Sequence, residues 1–174
     1  MIEGTKVIIR PKTLADAEND YKWQTDAELS ALDAMPPFRL PFRDFLNEYI
    51  VLLKRPVSDR ITFAVDTLDG KHIGNCVYYN INNEKGETEI GIMIGERDYW
   101  DQGYGTDIIT TLIDYIFQNF TFNRINLKTL ETNSRAQKCF QKCGLIPYGH
   151  LEHDGYEFLL MEITRFKWQE LNKR

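Results

Sequence analysis

With 174 residues, 43% of them hydrophobic and 13% aromatic, the chain can bury one sizeable core and little more. Its formal charge of −5 argues against nucleic acid or anionic lipid as a partner, because either demands a concentrated basic face, although a local basic pocket stays compatible with it. Met1 to Arg10 has no uninterrupted apolar core and no later stretch is long enough to span a bilayer. The expectation is one domain over residues 1–174, cytoplasmic, with no membrane association, as a monomer or homodimer. Cys76, Cys139 and Cys143 are odd in number and fit a reducing compartment better than a disulfide framework. Cys139 and Cys143 share a helical face, where core packing outweighs a metal or redox role.

In chain order, Val7 to Pro11 reads as a short strand ended by proline. A polar helix follows from about Thr13, with Thr13 as N-cap and Leu14, Ala17 and Tyr21 toward the core. Met35 to Pro41 holds three prolines and reads as a loop, and Phe45, Tyr49, Ile50, Leu52 and Leu53 then recur at helical spacing until Pro56. Ile61–Asp66, His72–Ile81 and Glu87–Ile94 form an antiparallel meander, broken by Asp69-Gly70 and by the turn from Asn82 to Gly86. A glycine-bearing loop from Gly95 to Gly105 leads into an amphipathic helix from Asp107 carrying Ile108, Ile109, Leu112, Ile113, Ile116 and Phe117. Asn123–Leu130 reads as a strand, Ala136–Cys143 as a helix closed by Gly144, and Asp154-Gly155 as a hairpin turn between two late strands. The pattern places the chain in the α+β class.

The segment with chemical content is Gly103-Tyr104-Gly105-Thr106 at the start of a helix. Missing Cβ atoms admit a ligand to the backbone, unpaired N–H groups point outward and the helix dipole adds positive charge, which together outline a pyrophosphate cradle. A G-x-G before a helix is often only a tight turn. The spacing is neither that of a nucleoside triphosphate loop nor that of a dinucleotide fingerprint.

Glu89-Ile90-Gly91-Ile92-Met93-Ile94-Gly95, followed by Tyr99-Trp100-Asp101-Gln102-Gly103-Tyr104-Gly105-Thr106, closely resembles the cofactor motif of the GNAT acetyltransferases. Asn133-Ser134-Arg135-Ala136, then Phe140, Lys142, Gly144 and Leu145, is similar to the later helix of that family. Arg10-Pro11 with Asp16-Ala17 and Trp23, and the hairpin His153-Asp154-Gly155-Tyr156, resemble the branch of ribosomal-protein N-terminal acetyltransferases. The resemblance implies a GNAT fold, with a mixed, mostly antiparallel sheet flanked by helices on both faces. It implies acetyl-CoA as donor, no metal, and a small-molecule amine or a protein N-terminus as acceptor. Backbone groups of Ile92, Met93 and Ile94 would hold the pantetheine arm like an added strand, and Gln102, Gly103, Tyr104, Gly105 and Thr106 would hold the pyrophosphate. Asn133 would hydrogen-bond the arm beside the small Ala136, although an ordinary helix N-cap explains Asn133 equally well.

Acetyl transfer to an amine needs a neutral nucleophile, a place for negative charge on the carbonyl oxygen and a route for the leaving thiolate. Period two in the strand puts Ile90, Ile92 and Ile94 on one face and Glu89, Gly91 and Met93 on the other. Glu89 is the candidate acceptor of the amine proton, through water, with a backbone N–H near Met93 or Ile94 polarising the carbonyl; a strand carboxylate paired with a cation is the rival reading. Where many GNAT members carry a tyrosine that protonates the thiolate, this chain has Phe140, a packing wall for the arm. Water or Tyr104 could supply that proton. The missing tyrosine is also the best support for a silent acyl-CoA-binding sensor as the alternative function. Trp23, Asp26 and Glu28 are weaker candidates for acceptor contacts, and His72, His150 and His153 have no metal-binding spacing.

Overall fold

The computed structural model describes residues 1–173. Eight strands form one sheet in the order β1-β2-β3-β4-β5-β6-β8-β7: β1 Ile2–Glu3, β2 Val7–Pro11, β3 Arg60–Thr67, β4 His72–Asn82, β5 Glu87–Ile94, β6 Arg124–Leu130, β7 Ile146–His153 and β8 Tyr156–Thr164. Every neighbouring pair is antiparallel except β5 with β6. Six helices flank it: α1 Ala17–Thr25, α2 Ala27–Leu32, α3 Phe42–Lys54, α4 Tyr104–Asn119, α5 Ser134–Lys142 and α6 Arg165–Leu171. This is the GNAT fold that the resemblance implied. Among the described residues no helix is long and apolar enough to cross a membrane.

The main core lies between the sheet and α4, whose Ile108, Ile109, Leu112, Ile113 and Ile116 are almost fully buried against Val7, Ile9, Ile90, Ile125 and Met161. α4 begins three residues earlier than its apolar pattern suggests, because Gly103 takes a left-handed φ of 84° and serves as the N-cap. β1, α2 and α6 carried no pattern that stood out in the sequence. Two residues or a single amphipathic turn give too few positions to establish a period.

Two expectations for the N-terminal helices need correction. Thr13 does not cap α1 with its hydroxyl; that hydroxyl donates to Asp16 Oδ2, which also accepts the Thr13 N–H at 2.7 Å, and a 3-10 turn over Leu14–Asp16 precedes α1. Leu14 is exposed, since the tighter turn rotates it off the face that buries Ala17. α3 buries Phe45 and Tyr49, with Phe42 and Leu46 packed beside them, and leaves Leu52 and Leu53 at the surface.

Asp16 is tied down by Arg10, whose guanidinium reaches it at 2.7 and 2.9 Å and Asp66 at 2.6 and 3.0 Å. Burial raises the Asp16 pKa, but the Arg10 hydrogen bonds, the Thr13 N–H and the charges of His72 and Arg10 together outweigh it and hold the carboxyl at about 2. A carboxylate depressed in the folded state stabilises the fold above its unfolded pKa of about 3.9, and that contribution is lost as pH falls through the folded value. About 2 kcal/mol should therefore disappear between pH 4 and pH 2. Asp16→Asn should lower stability at pH 7 by a similar amount and flatten the acid limb of a urea-denaturation series. An unchanged acid limb would dissociate Asp16 from acid unfolding.

Candidate active site

The parallel pair β5–β6 makes the site. Its register runs only through Glu87↔Arg124, Thr88↔Ile125 and Glu89↔Asn126, although β5 continues to Ile94 and β6 to Leu130. Arg124 clamps the closed end by bonding Glu87 at 2.8 Å and Glu162 at 2.5 Å. Beyond Asn126 the strands part, and the edge of β5 loses its partner inside the sheet. A strand edge without a partner offers N–H and C=O groups to an extended ligand.

The gap opens into a cleft of about 380 Å³, a size typical of small-molecule sites. Ile92, Met93 and Ile94 line one wall, Gly103, Gly105 and Thr106 the start of α4, and Asn133, Ala136 and Phe140 the wall formed by α5. These are nine of the residues singled out in the sequence, gathered from three elements. The N–H of Asp107 is the first in α4 to find a helical acceptor, Gly103 O at 3.0 Å. The N–H groups of Tyr104, Gly105 and Thr106 thus lie in the first turn, where an anion can receive them. A Cβ on Gly105 would stand 3.2 Å from Cys139 Sγ and 3.6 Å from Ile94 Cδ1, so its absence keeps the cleft open there.

Three singled-out residues are placed outside the lining. Gln102 turns its side chain back to the Asp98 carbonyl and presents its own carbonyl to Lys6 Nζ at 3.0 Å. Tyr104 packs edge-on against Tyr99, with Lys6 Nζ 5.3 Å from its ring centre. Glu89 lies four residues from Met93, about 13 Å along an extended strand. Its Oε1 accepts the Tyr79 hydroxyl, Oε2 accepts Asn80 Nδ2 at 2.9 Å, and Lys128 Nζ is 3.6 Å away. A bulge in β4 and a positive φ at Asn80 aim that amide at Glu89.

Other placements refine the sequence reading. Asn133 Oδ1 accepts the Ala136 N–H at 3.2 Å as a helix cap, which leaves its amide NH2 as the donor it can offer a ligand. The Ile94 carbonyl accepts the Trp100 indole N–H at 2.8 Å. Trp23 is buried under Gly95, whose Cβ would fall 2.1 Å from the indole, while Asp26 caps α2 and joins Glu28 in holding Arg97. None of those three lines the cleft.

The sequence reading missed the basic side of the cleft. Arg135, Lys138 and Lys142 follow helical spacing on α5 and all face it, and the Arg135 guanidinium stacks 3.6 Å from the Trp100 ring centre. Their spacing in the sequence was the available signal; the net negative charge of the chain concealed it. Cys139 also lines the cleft, and a hydrogen bond from Cys143 lowers its pKa against the effect of burial, with Cys143 raised in return. Asp33, at the C-cap of α2, was not singled out either, because that helix was not recognised. Among the described residues no group of three or more His, Cys, Asp or Glu side chains converges as a metal site would.

The family model for the acetyltransferase (GNAT) domain matches residues 6–146. The chain belongs to the GNAT acetyltransferase family. It is 29% identical over 148 residues to an uncharacterized N-acetyltransferase p20 of Bacillus licheniformis, covering 81% of this chain and 82% of that protein. An N-acetyltransferase 9-like protein of Caenorhabditis briggsae is 24% identical over 153 residues, 81% of this chain and 74% of the relative. Among solved structures, spermidine N-acetyltransferase from Vibrio cholerae in complex with CoA and spermine superposes with a TM-score of 0.82 at 18% identity, covering 94% of this GNAT chain and 98% of that one. An aminoglycoside acetyltransferase in complex with coenzyme A gives 0.78 at 19% identity, covering 95% and 99%. At such identities the superpositions establish the shared fold. The family match makes this GNAT chain an acetyltransferase.

Proposed function

We propose that the chain, acting as one domain over residues 1–174, transfers an acetyl group from acetyl-CoA to a primary amine by direct attack in a ternary complex. The observation that carries this reading is the parting of β5 from β6 directly over the first turn of α4. An extended arm fits along the free edge of β5 while a pyrophosphate meets the helix N-terminus. The spermidine and aminoglycoside enzymes named above were both solved with CoA, which supports the same use of the cleft here. We place the enzyme in the reducing cytoplasm, where its three free cysteines persist as thiols. The proposal that it falls in the ribosomal-protein branch rests on Arg10, Pro11, Asp16, Ala17, Trp23 and the late hairpin, of which Arg10 and Asp16 are joined in a structural ion cluster.

Acetyl-CoA would supply the activated acyl group; the residues of this chain bind it and prepare the amine. Ile92 and Met93 would hold the arm through their backbone, Gly103, Gly105 and Thr106 would frame the pyrophosphate, and Arg135, Lys138 and Lys142 would meet further phosphate charge. Asn133 would donate its amide to the arm, between Ala136 and the Phe140 ring. Glu89 is too far from Met93 for direct contact, so the amine proton would reach it through water and the Tyr79 hydroxyl. Glu89→Gln should lower kcat/KM for amines by about 100-fold, the low end of what a general base contributes, with CoA affinity unchanged. Full turnover across the pH range would remove Glu89 from that role. Phe140 has no proton to give, which favours as second reading a silent acyl-CoA sensor; release of CoA thiol against an amine panel separates the two, since tight binding without turnover supports the sensor.

A further inference from the structure

On the face of the sheet opposite α4, side chains of both signs stand beside the cleft, outside its lining apart from Asp33. Glu89 on β5 pairs in register with Tyr79 on β4, which pairs with Arg60 on β3, so the three side chains share one face. Asn126 on β6 pairs with Glu89, and Lys128 two residues on stands on that same face. The Arg60 guanidinium lies 5.1 Å from the Tyr79 ring centre, and Lys128 Nζ is 3.6 Å from Glu89. Above them Asp33 joins Leu29, Leu32 and Met93 in the lining of the cleft. Glu89 and Lys128 neutralise each other. Asp33 and Arg60, by contrast, have no ion-pair partner within 4 Å among the described residues.

We infer that the acceptor is an amine that also bears a carboxylate, its ammonium facing Asp33 and its carboxylate facing Arg60. This rests on the acetyltransferase reading of the cleft and names the substrate class for it. Asp33 closes α2, whose C-terminal carbonyls add negative potential, which suits a cation. Arg60 presents a planar fork of donors matched to a carboxylate. Burial raises the pKa of Asp33 while the charges of Arg60 and Lys128 oppose the rise, as expected of a carboxylate within reach of both. A polycation would meet Arg60 with like charge, whereas an amino acid or short peptide satisfies both signs at once. Spermine, bound in the spermidine enzyme, and kanamycin, bound in a solved complex of the aminoglycoside acetyltransferase with coenzyme A, have only the first kind of charge.

The test measures both turnover and equilibrium binding. Wild-type protein and Arg60→Ala, a substitution at an exposed strand end that should fold, are each saturated with CoA and titrated calorimetrically with dipeptides, their C-terminal amides, spermidine and kanamycin. The free dipeptides should bind wild type at least about tenfold more tightly than their amides, and Arg60→Ala should erase that difference without changing affinity for the amides. In turnover with acetyl-CoA the same contrast should appear in KM with kcat preserved. Equal affinity for acid and amide forms, or preferred binding of spermidine or kanamycin that is indifferent to Arg60→Ala, would overturn the inference. Dipeptide binding that depends on Arg60 but yields no CoA thiol would uphold the substrate class and defeat the acetyltransferase reading instead.

Discussion

Gly105→Val should weaken acetyl-CoA binding by about a hundredfold or more while leaving a folded protein. The added side chain would grow into the cleft between Cys139 Sγ and Ile94 Cδ1, where even a Cβ stands 3.2 and 3.6 Å from those atoms. A pyrophosphate would be pushed away from the free N–H groups of the α4 first turn, and each charge-assisted hydrogen bond lost costs about 1.5–3 kcal/mol. The fold should tolerate the change, because Gly105 is helical, its φ is not left-handed, and the nearest atom is the end of a side chain. Calorimetric titration with CoA, beside thermal unfolding, checks both halves. The triple variant Arg135→Ala, Lys138→Ala, Lys142→Ala gives a second signature, a smaller loss that shrinks as salt rises, because charge rather than space is removed. Unchanged CoA affinity in Gly105→Val would place the cofactor elsewhere.

The cleft lining proposed to hold the donor was legible in the sequence because local backbone features build it. Glycines at 103 and 105, a helix after them and an isoleucine-rich apolar run before them are local features, and they write themselves into a short stretch of chain. The acceptor half we infer draws on Asp33 at the end of α2 and on residues 60, 79, 89 and 128, which are distant in sequence and reach one face of the sheet through the register of β3, β4, β5 and β6. Nothing local to Asp33 or Arg60 distinguishes either from a surface charge. Glu89 shows the same limit from the other side. Alternation correctly put it on the face away from the isoleucines, but its bonds to Tyr79 and Lys128 arise from pairing with neighbouring strands, and its bond to Asn80 from a bulge in β4, none of which periodicity announces. α2 was missed because its six residues span fewer than two turns, and Asp33 was missed with it. Thr13 and Leu14 misled because a 3-10 turn and an α-helix share their N-terminal residue preferences.

Asp20→Ala should cost about 3–5 kcal/mol of stability, the range expected when one partner of a buried ion pair is removed. Asp20 is 2% exposed and is bonded to Lys12, to Asn75 Nδ2 at 2.7 Å and to the Tyr49 hydroxyl at 2.9 Å, so it joins β4, α1 and α3 at a single point. Without it Lys12 keeps a buried charge whose remaining contact is Asn75 Oδ1 at 2.5 Å. Burial already lowers the Lys12 pKa, and the Asp20 charge is the main force opposing that. In Asp20→Ala the folded-state pKa of Lys12 should fall further below its unfolded value of about 10.4. The unfolded chain then binds more protons than the folded one, stability rises with pH, and the deficit should narrow between neutrality and pH 10. Asp20→Asn retains hydrogen bonding and should lose less, with the same slope. Because Asn75 stands opposite Met93 in the β4–β5 register, the network also braces the strand whose edge faces the cleft. Urea denaturation across pH reads the result: a loss below about 1 kcal/mol, or one independent of pH, would mean that water or a rearranged neighbour takes the place of Asp20 and that α1 is held to the sheet by its apolar contacts alone.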